Sequence, residues 1–514
     1  MVDRNSPIPP ERFRELIAAV CEGRYAGSAD AARYGETIGD WDVSQVEDMS
    51  AAFQNRKTFN ADLSRWNVSR VTNMRDMFKD ARAFNQPVGG WDVSQVADMH
   101  GMFEDADVFD QPLGGWNVGN VTDMSRMFHY ARSFRQSLEG WNVSRVTTMH
   151  RMFANMDYFN SPLGDWDTGR VTDMSYMFYS CTRFNQPLGA WNVGNVTTMH
   201  AMFCGTHFNQ PLGEWDVARV TDMGWLFCGI SEFDQPVGGW NVAQVTTMES
   251  MFHGATSFHQ PLDGWDTGRV TDMTRMFAEC DSFDQPLGGW NVGNVTTMQE
   301  MFLEAEAFNQ PLGTWNVSRV EDMHGMFSSA SSFNQPLEDW DVSRVEDMED
   351  MFSDAEAFNQ PLGRWNVSKV QSMAGMFSGT MAFNQPLGNW DTGRVRSMKD
   401  MFSNAAAFNQ PLDGWDTRAV TDMSGMFAST EAFNQPLGNW TLSADPDMSR
   451  MFFDARAFDQ PPDGWDAPEM FDFAEHVAAA KRPRFLSETV GAPPWFCLRP
   501  AYGPSSRSRG GCSR

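Results

Sequence analysis

The sequence predicts an α/β solenoid: a right-handed coil of short parallel strands and short helices, about 18 units of 25 residues, closed by helical caps. Three observations carry that expectation. Tryptophan recurs at 41, 66, 91, 116, 141, 166 and 191, then at 215 and every 25 residues to 465, and self-similarity at such a period marks units that touch only their neighbours along an axis. Within each unit the apolar spacing changes from alternation to i, i+3, i+4, i+7. Both ends depart from the pattern, as terminal coils with one uncovered face require.

The unit is read with Trp as position 1. Leu337-x-x-Trp340-x-Val342 has the spacing of a leucine-rich-repeat strand, so Trp 1 and residue 3 are expected to point inward and Asn or Asp 2 outward. Stacked strands give a parallel sheet with neighbours about 4.8 Å apart. Met 9, Met 12, Phe 13 and Ala 16 then form one stripe of a helix of two to three turns. Thr 7 (Thr122, Thr271) serves as its N-cap, and Asp 8 (Asp123, Asp272) favours its positive end. The return loop Phe-Asn-Gln-Pro-Leu-Gly follows: Pro extends the preceding Gln, and Gly frees the turn into the next strand. A strand, helix and parallel strand in succession should wind right-handed.

The one 24-residue step lies where Cys204-Gly205-Thr206-His207 separates Phe203 from Phe208. A deletion there fits a surface turn and leaves the coil intact. Residues 1–40 form an N-terminal cap: after Pro9-Pro10, Phe13, Leu16, Ile17 and Val20 lie on one helical face over Glu11–Glu22. The repeats run over 41–466. Residues 467–492 hold a closing helix, from Pro468 to Lys481, and a connector; 493–514 read as a flexible basic tail. In the unit of Trp440, Asp445 stands where Val is usual and Pro446 follows, marking a coil near its end.

The net charge of −28 disfavours nucleic acid and anionic membrane surfaces as partners. Seven cysteines follow no repeating spacing, which suits reduced thiols. No run reaches the roughly 18 apolar residues of a membrane span, and Met1–Pro7 carries no export signal. The expected location is cytoplasmic, or the cell surface if the N-terminus is incomplete.

Units such as residues 358–377, Phe-Asn-Gln-Pro-Leu-Gly-x-Trp-Asn-Val-Ser-x-Val-x-x-Met-x-x-Met-Phe, resemble the BspA-type leucine-rich-repeat surface proteins, including mycoplasma lipoprotein-type repeats. The resemblance spans Trp41 to Trp465. It implies a binding or adhesion scaffold, often at a cell surface.

Candidate chemistry has a bland reading beside it in each case. Thirty-two of the 36 methionines sit at positions 9 and 12, which is core packing or an adaptable, oxidisable face. The tryptophans read as period-matched core or as glycan platforms. Asn and Asp at 2, 8 and 20 come one per coil, which suits ladders and caps better than a calcium loop with converging oxygens. His100, His150, His200 and His324 share position 10, and no two histidines form a metal-type pair. Cys204 and Cys228 share position 14 of adjacent coils, where helices about 8–10 Å apart would keep a disulfide out of reach. Without phosphate loop, nucleophile elbow or zinc spacing, the chain reads as non-enzymatic and without a cofactor or metal. The feature weighed most is position 5, which is Arg319, Arg344, Lys369 and Arg394 in four successive coils, beside Asn316, Asp341, Asn366 and Asp391 at position 2. This strip is either a self-neutralising solvated ladder or a recognition surface for a protein partner or an acidic glycan. The function expected is a protein–protein interaction scaffold, with an exported adhesin or glycan binder as the alternative.

Overall fold

The computed structural model describes residues 6–460. The chain opens with two helices, α1 (Pro10–Cys21) and α2 (Ala29–Tyr34), and a 3₁₀ turn at Ile38–Asp40. From Trp41 it winds as a repeat solenoid whose coils stack through isolated parallel bridges at position 8, such as Asp322 with Asp347.

The inward set is the one the periodicity gives. Trp315, Val317, Val320, Met323, Met326, Phe327, Ala330, Phe333 and Leu337 are buried, and their counterparts join one core running the length of the coil. The secondary structure differs. Among the described repeats there is no helix and no multi-residue strand, and bridges form at position 8, not along positions 1–3. In place of the helix, positions 9 to 16 make overlapping turns. In the coil of Trp315, Met326, Ser328 and Ala330 donate backbone N–H bonds to the carbonyls of Met323, Gly325 and Phe327, at 3.2, 3.0 and 3.1 Å. Positions 11 and 15 hold positive φ, 57° at both Gly325 and Ser329. These reversals turn alternate peptide planes along the solenoid axis. Met323, Gly325, Phe327 and Ser329 therefore donate to the next coil, at Asp347, Glu349, Met351 and Ser353, over 3.1, 2.8, 2.9 and 2.6 Å. Buried backbone groups demand partners; here turns satisfy half of them and the neighbouring coil the other half. The right-handed crossover rule has no strand–helix–strand unit to act on.

Side-chain ladders complete the stacking. Asp 8 does not sit at a helix start: Asp322 Oδ1 accepts the His324 N–H at 2.9 Å, and Asp123 and Asp272 do the same for Ser125 and Thr274. Thr 7 does not cap either; Thr122 and Thr271 hydroxyls donate to the position-7 carbonyls of Ala97 and Thr246 at 3.2 and 3.1 Å. Asn309 Oδ1 accepts from Asn334 N and Gln335 Nε2 at 3.0 and 2.9 Å, which explains Asn at position 20. The Leu287 carbonyl accepts both Trp290 N and Trp315 Nε1, at 3.0 and 2.9 Å. Each indole is thus fixed to the preceding coil while its ring stacks on the next, 6.4 Å and 2° for Trp315 and Trp340. Phe327 packs on Phe333 at 4.0 Å and on Phe352 at 5.6 Å. Among the described residues, the tryptophans of position 1 and the methionines of positions 9 and 12 are core.

The first coil lacks a predecessor, and the cap supplies what is missing. Phe13, Leu16 and Ile17 of α1 are buried, with Phe13 edge-on to Trp66 at 5.8 Å. Tyr25 Oη accepts the Trp41 indole N–H at 2.8 Å, replacing the absent leucine carbonyl. At the 24-residue step Phe203 and Phe208 still stack at 4.2 Å, so the shortening stays in the turn. Near the far end Pro446 has no N–H; Asp447 donates instead to Thr421 O at 2.8 Å, and Asp445 turns outward. The expected closing helix and tail lie outside the described residues.

Candidate functional site

Two surfaces repeat once per coil: the strip of positions 2 and 5, and the outer face of the turns, where positions 8, 10, 11, 14 and 15 emerge.

On the strip, Arg319, Arg344, Lys369 and Arg394 are all exposed, as are Asn316, Asp341, Asn366 and Asp391. The position-2 oxygens are engaged: Asn316, Asp341, Asn366 and Asp391 each accept the backbone N–H two residues on, at 3.1–3.2 Å. Hydrogen bonds from Ser343, helped by the charge of Arg344, hold the Asp341 carboxyl below its usual range. The cations are not alike. Arg319 donates to Asn294 Oδ1 at 2.6 Å, and Arg145 and Arg219 likewise reach position-5 asparagines, at 2.7 and 2.8 Å. Arg344, Lys369 and Arg394 follow Arg, Arg and Lys at that position, find no such acceptor, and make no hydrogen bond or ion pair among the described residues.

The turn face changes character along the coil. Around Glu104 it is ion-paired: Lys79, Arg126 and His129 reach this buried carboxylate at 3.0, 3.5 and 3.3 Å. Burial alone would raise its pKa, but the hydrogen bonds of His129 and Lys79 bring it down to about 2. Over residues 176–228 the face is aromatic, with Tyr176, Tyr179 and Trp225 packed on Ala201, Cys204 and Cys228. Those two cysteines are free and buried, and the hydrogen-bonding contact with Cys204, together with burial, pushes the Cys228 thiol up. Gly205 N donates to Cys228 O at 2.8 Å, so these coils are joined by backbone hydrogen bonds and stack more closely than helices packed about 8–10 Å apart.

From residue 300 onward acids dominate. Arg275 grips Glu300 with two bonds, 2.6 and 2.9 Å, and His324 Nε2 lies 3.8 Å from the same carboxylate. One ligand atom each from His324, Asp347 and Glu349 falls within 4.8 Å of the others. The sequence reading sees no paired ligands because these residues are 23 and 25 apart, a separation that becomes adjacency only when coils stack. Burial, with the charge of Glu349 adjoining, pushes Asp350 up to about 6.

Beyond this cluster runs an open groove of about 710 Å³ between Glu349–Asp350 and Arg450–Phe453. Its floor is made of small residues, including Gly375, Ser378, Ser403, Gly425 and Ala428. Asp350 and Asp400 lay their carboxylates over Gly375 and Gly425, where an added Cβ would stand. The sequence signal for this face is glycine, asparagine and aspartate at positions 11 and 15, within the stripe read as helical.

Comparison with known proteins adds the following. A leucine-rich repeat protein from Bacteroides ovatus superposes with a TM-score of 0.34 at 11% identity, over 71% of this chain and 88% of that one. A plant peptide hormone receptor, RGFR1 in complex with RGF2, gives a TM-score of 0.20 at 8% identity, over 80% and 77%. Neither score is high enough to carry the coil geometry from one protein to the other. No curated protein sequence matches. The family described as "Mycoplasma protein of unknown function, DUF285" matches five times in tandem, at residues 25–138, 111–210, 204–312, 285–389 and 377–485, and the chain belongs to that family.

Proposed function

We propose that this solenoid is a non-enzymatic interaction scaffold whose position-5 strip docks an acidic segment of a protein partner. The observation that carries the reading is the set Arg344, Lys369 and Arg394: three exposed cations one coil apart, unpaired among the described residues, on a chain of net charge −28. At Arg145, Arg219 and Arg319 the same position is quenched by an asparagine one coil back. Successive coils linked by backbone hydrogen bonds repeat at about 4.8 Å, so the three charges span about 10 Å. That suits a short run of closely spaced carboxylates. Such contacts steer and orient a partner more than they hold it, and salt should weaken them. The role agrees with what the likeness to BspA-type repeat proteins implies.

The test is capture from native lysate by the full chain, comparing wild type with a variant in which Arg319, Arg344, Lys369 and Arg394 are all changed to Glu. Loss of a specific captured protein, with unchanged thermal unfolding, supports the strip. Equal capture by both proteins refutes it.

A further inference from the structure

We infer that His324, Asp347 and Glu349 form a binding site for a divalent transition-metal ion of the zinc class. The three offer one imidazole nitrogen and two carboxylate oxygens, all within 4.8 Å of one another. Ligands around such an ion stand about 2.0–2.2 Å from it, so about 3–3.5 Å from each other. Small side-chain rotations on this partly exposed face close the remaining gap.

The cluster has a built-in comparison within the same chain. Position 10 of one coil regularly faces position 8 of the next: His100 Nδ1 lies 3.8 Å from Asp123, and His200 Nδ1 lies 3.2 Å from Asp222. In those coils the third place, position 10 of the following coil, is Ser125 or Gly224. At His324 it is Glu349, and among the described residues no other three His, Cys, Asp or Glu side chains bring ligand atoms within 4.8 Å of one another.

Two further features fit an ion. First, two other glutamates of this face are quenched, Glu104 by Lys79 and Arg126 and Glu300 by Arg275. Asp347 and Glu349 have no lysine or arginine partner among the described residues, and Asp350 adjoins them. Their polar contacts are the Glu349 N–H to Asp347 Oδ1 at 2.8 Å and the Ser372 hydroxyl to Glu349 Oε2 at 3.2 Å, which leave acceptor capacity on both. Second, His324 Nε2 lies 3.8 Å from Glu300, itself fixed by Arg275. A carboxylate that closes from this distance to a hydrogen bond behind a histidine orients the imidazole toward a metal and strengthens it as a ligand. One nitrogen and two oxygens, with water completing the shell, suit zinc and its first-row neighbours better than calcium.

The experiment is calorimetric titration of the full, reduced chain with Zn²⁺ at physiological salt. Wild type, His324→Ala, Asp347→Asn/Glu349→Gln and His200→Ala are compared, each checked for unchanged thermal unfolding without metal. The proposal expects one equivalent that is lost or weakened at least tenfold in the two cluster variants and retained in His200→Ala. Identical titrations of wild type and the cluster variants overturn it. An equal loss in His200→Ala also overturns it, because binding would then be generic to His–Asp pairs on this face.

Discussion

Gly375→Ala separates the two ways of building the outer half of the coil, because they disagree on the sign of its effect. Were positions 9 to 16 helical, replacing a mid-helix glycine by alanine would stabilise by about 1 kcal/mol. In the observed turns Gly375 has φ of 61°, and an added Cβ overlaps the Asp350 carboxylate. A left-handed conformation costs an L-residue about 1–2 kcal/mol, offset by about 0.4–1 kcal/mol from the stiffer unfolded chain. Displacing Asp350 from its rotamer adds about 0.5–1.5 kcal/mol. The net expectation is destabilisation of about 0.5–3 kcal/mol, opposite in sign to the helical value. Guanidinium unfolding followed by tryptophan fluorescence reads it, since every described repeat carries a buried indole. In an Asp350→Ala background the penalty should fall by roughly the rotamer share, about 0.5–1.5 kcal/mol. A midpoint raised by Gly375→Ala would refute the turn geometry.

Other expectations follow from the ladders and buried groups. Asn334→Ala removes the acceptor of Asn359 N and Gln360 Nε2 and should cost about 1–3 kcal/mol in the same assay. Asn334→Asp should be milder, because Asp110, Asp234 and Asp284 fill that place in other coils. Glu104 has a folded pKa of about 2, below its ordinary 4.5, so it contributes stability above about pH 4.5 that is lost as pH falls toward 2; Glu104→Gln should blunt that acid-side loss in unfolding curves across this window. Burial pushes the thiols of Cys181 and Cys280 up, and both are fully enclosed. Peptide mapping after alkylation should find them unmodified in the native protein and labelled after unfolding.

The core was legible from periodicity because an inward stripe at 9, 12, 13 and 16 is the same whether made by a helix or by successive turns. The choice between them was not legible from the apolar residues. It lay in Gly325, Gly375 and Gly425 at position 11 and in Asn55, Asp80 and Asp354 at position 15, residues that tolerate positive φ and weaken a helix. The cap helix could be read because Phe13, Leu16 and Ile17 share one face within a single local segment. Exposure of the position-5 strip could also be read. The quenching of Arg319 by Asn294 and the meeting of His324, Asp347 and Glu349 could not, since each joins residues about one coil apart in sequence. Such contacts become visible only once the axial register is known.

The most direct test of the coil-to-coil turn architecture is the helical fraction of the amide I infrared band, which the tryptophan rings do not distort. Over the described chain, helix is confined to the 12 residues of α1 and the 6 of α2, so residues 6–460 should add only a few per cent of helix to the band. A spectrum with about a third of its residues helical would place a helix in every unit and contradict the account.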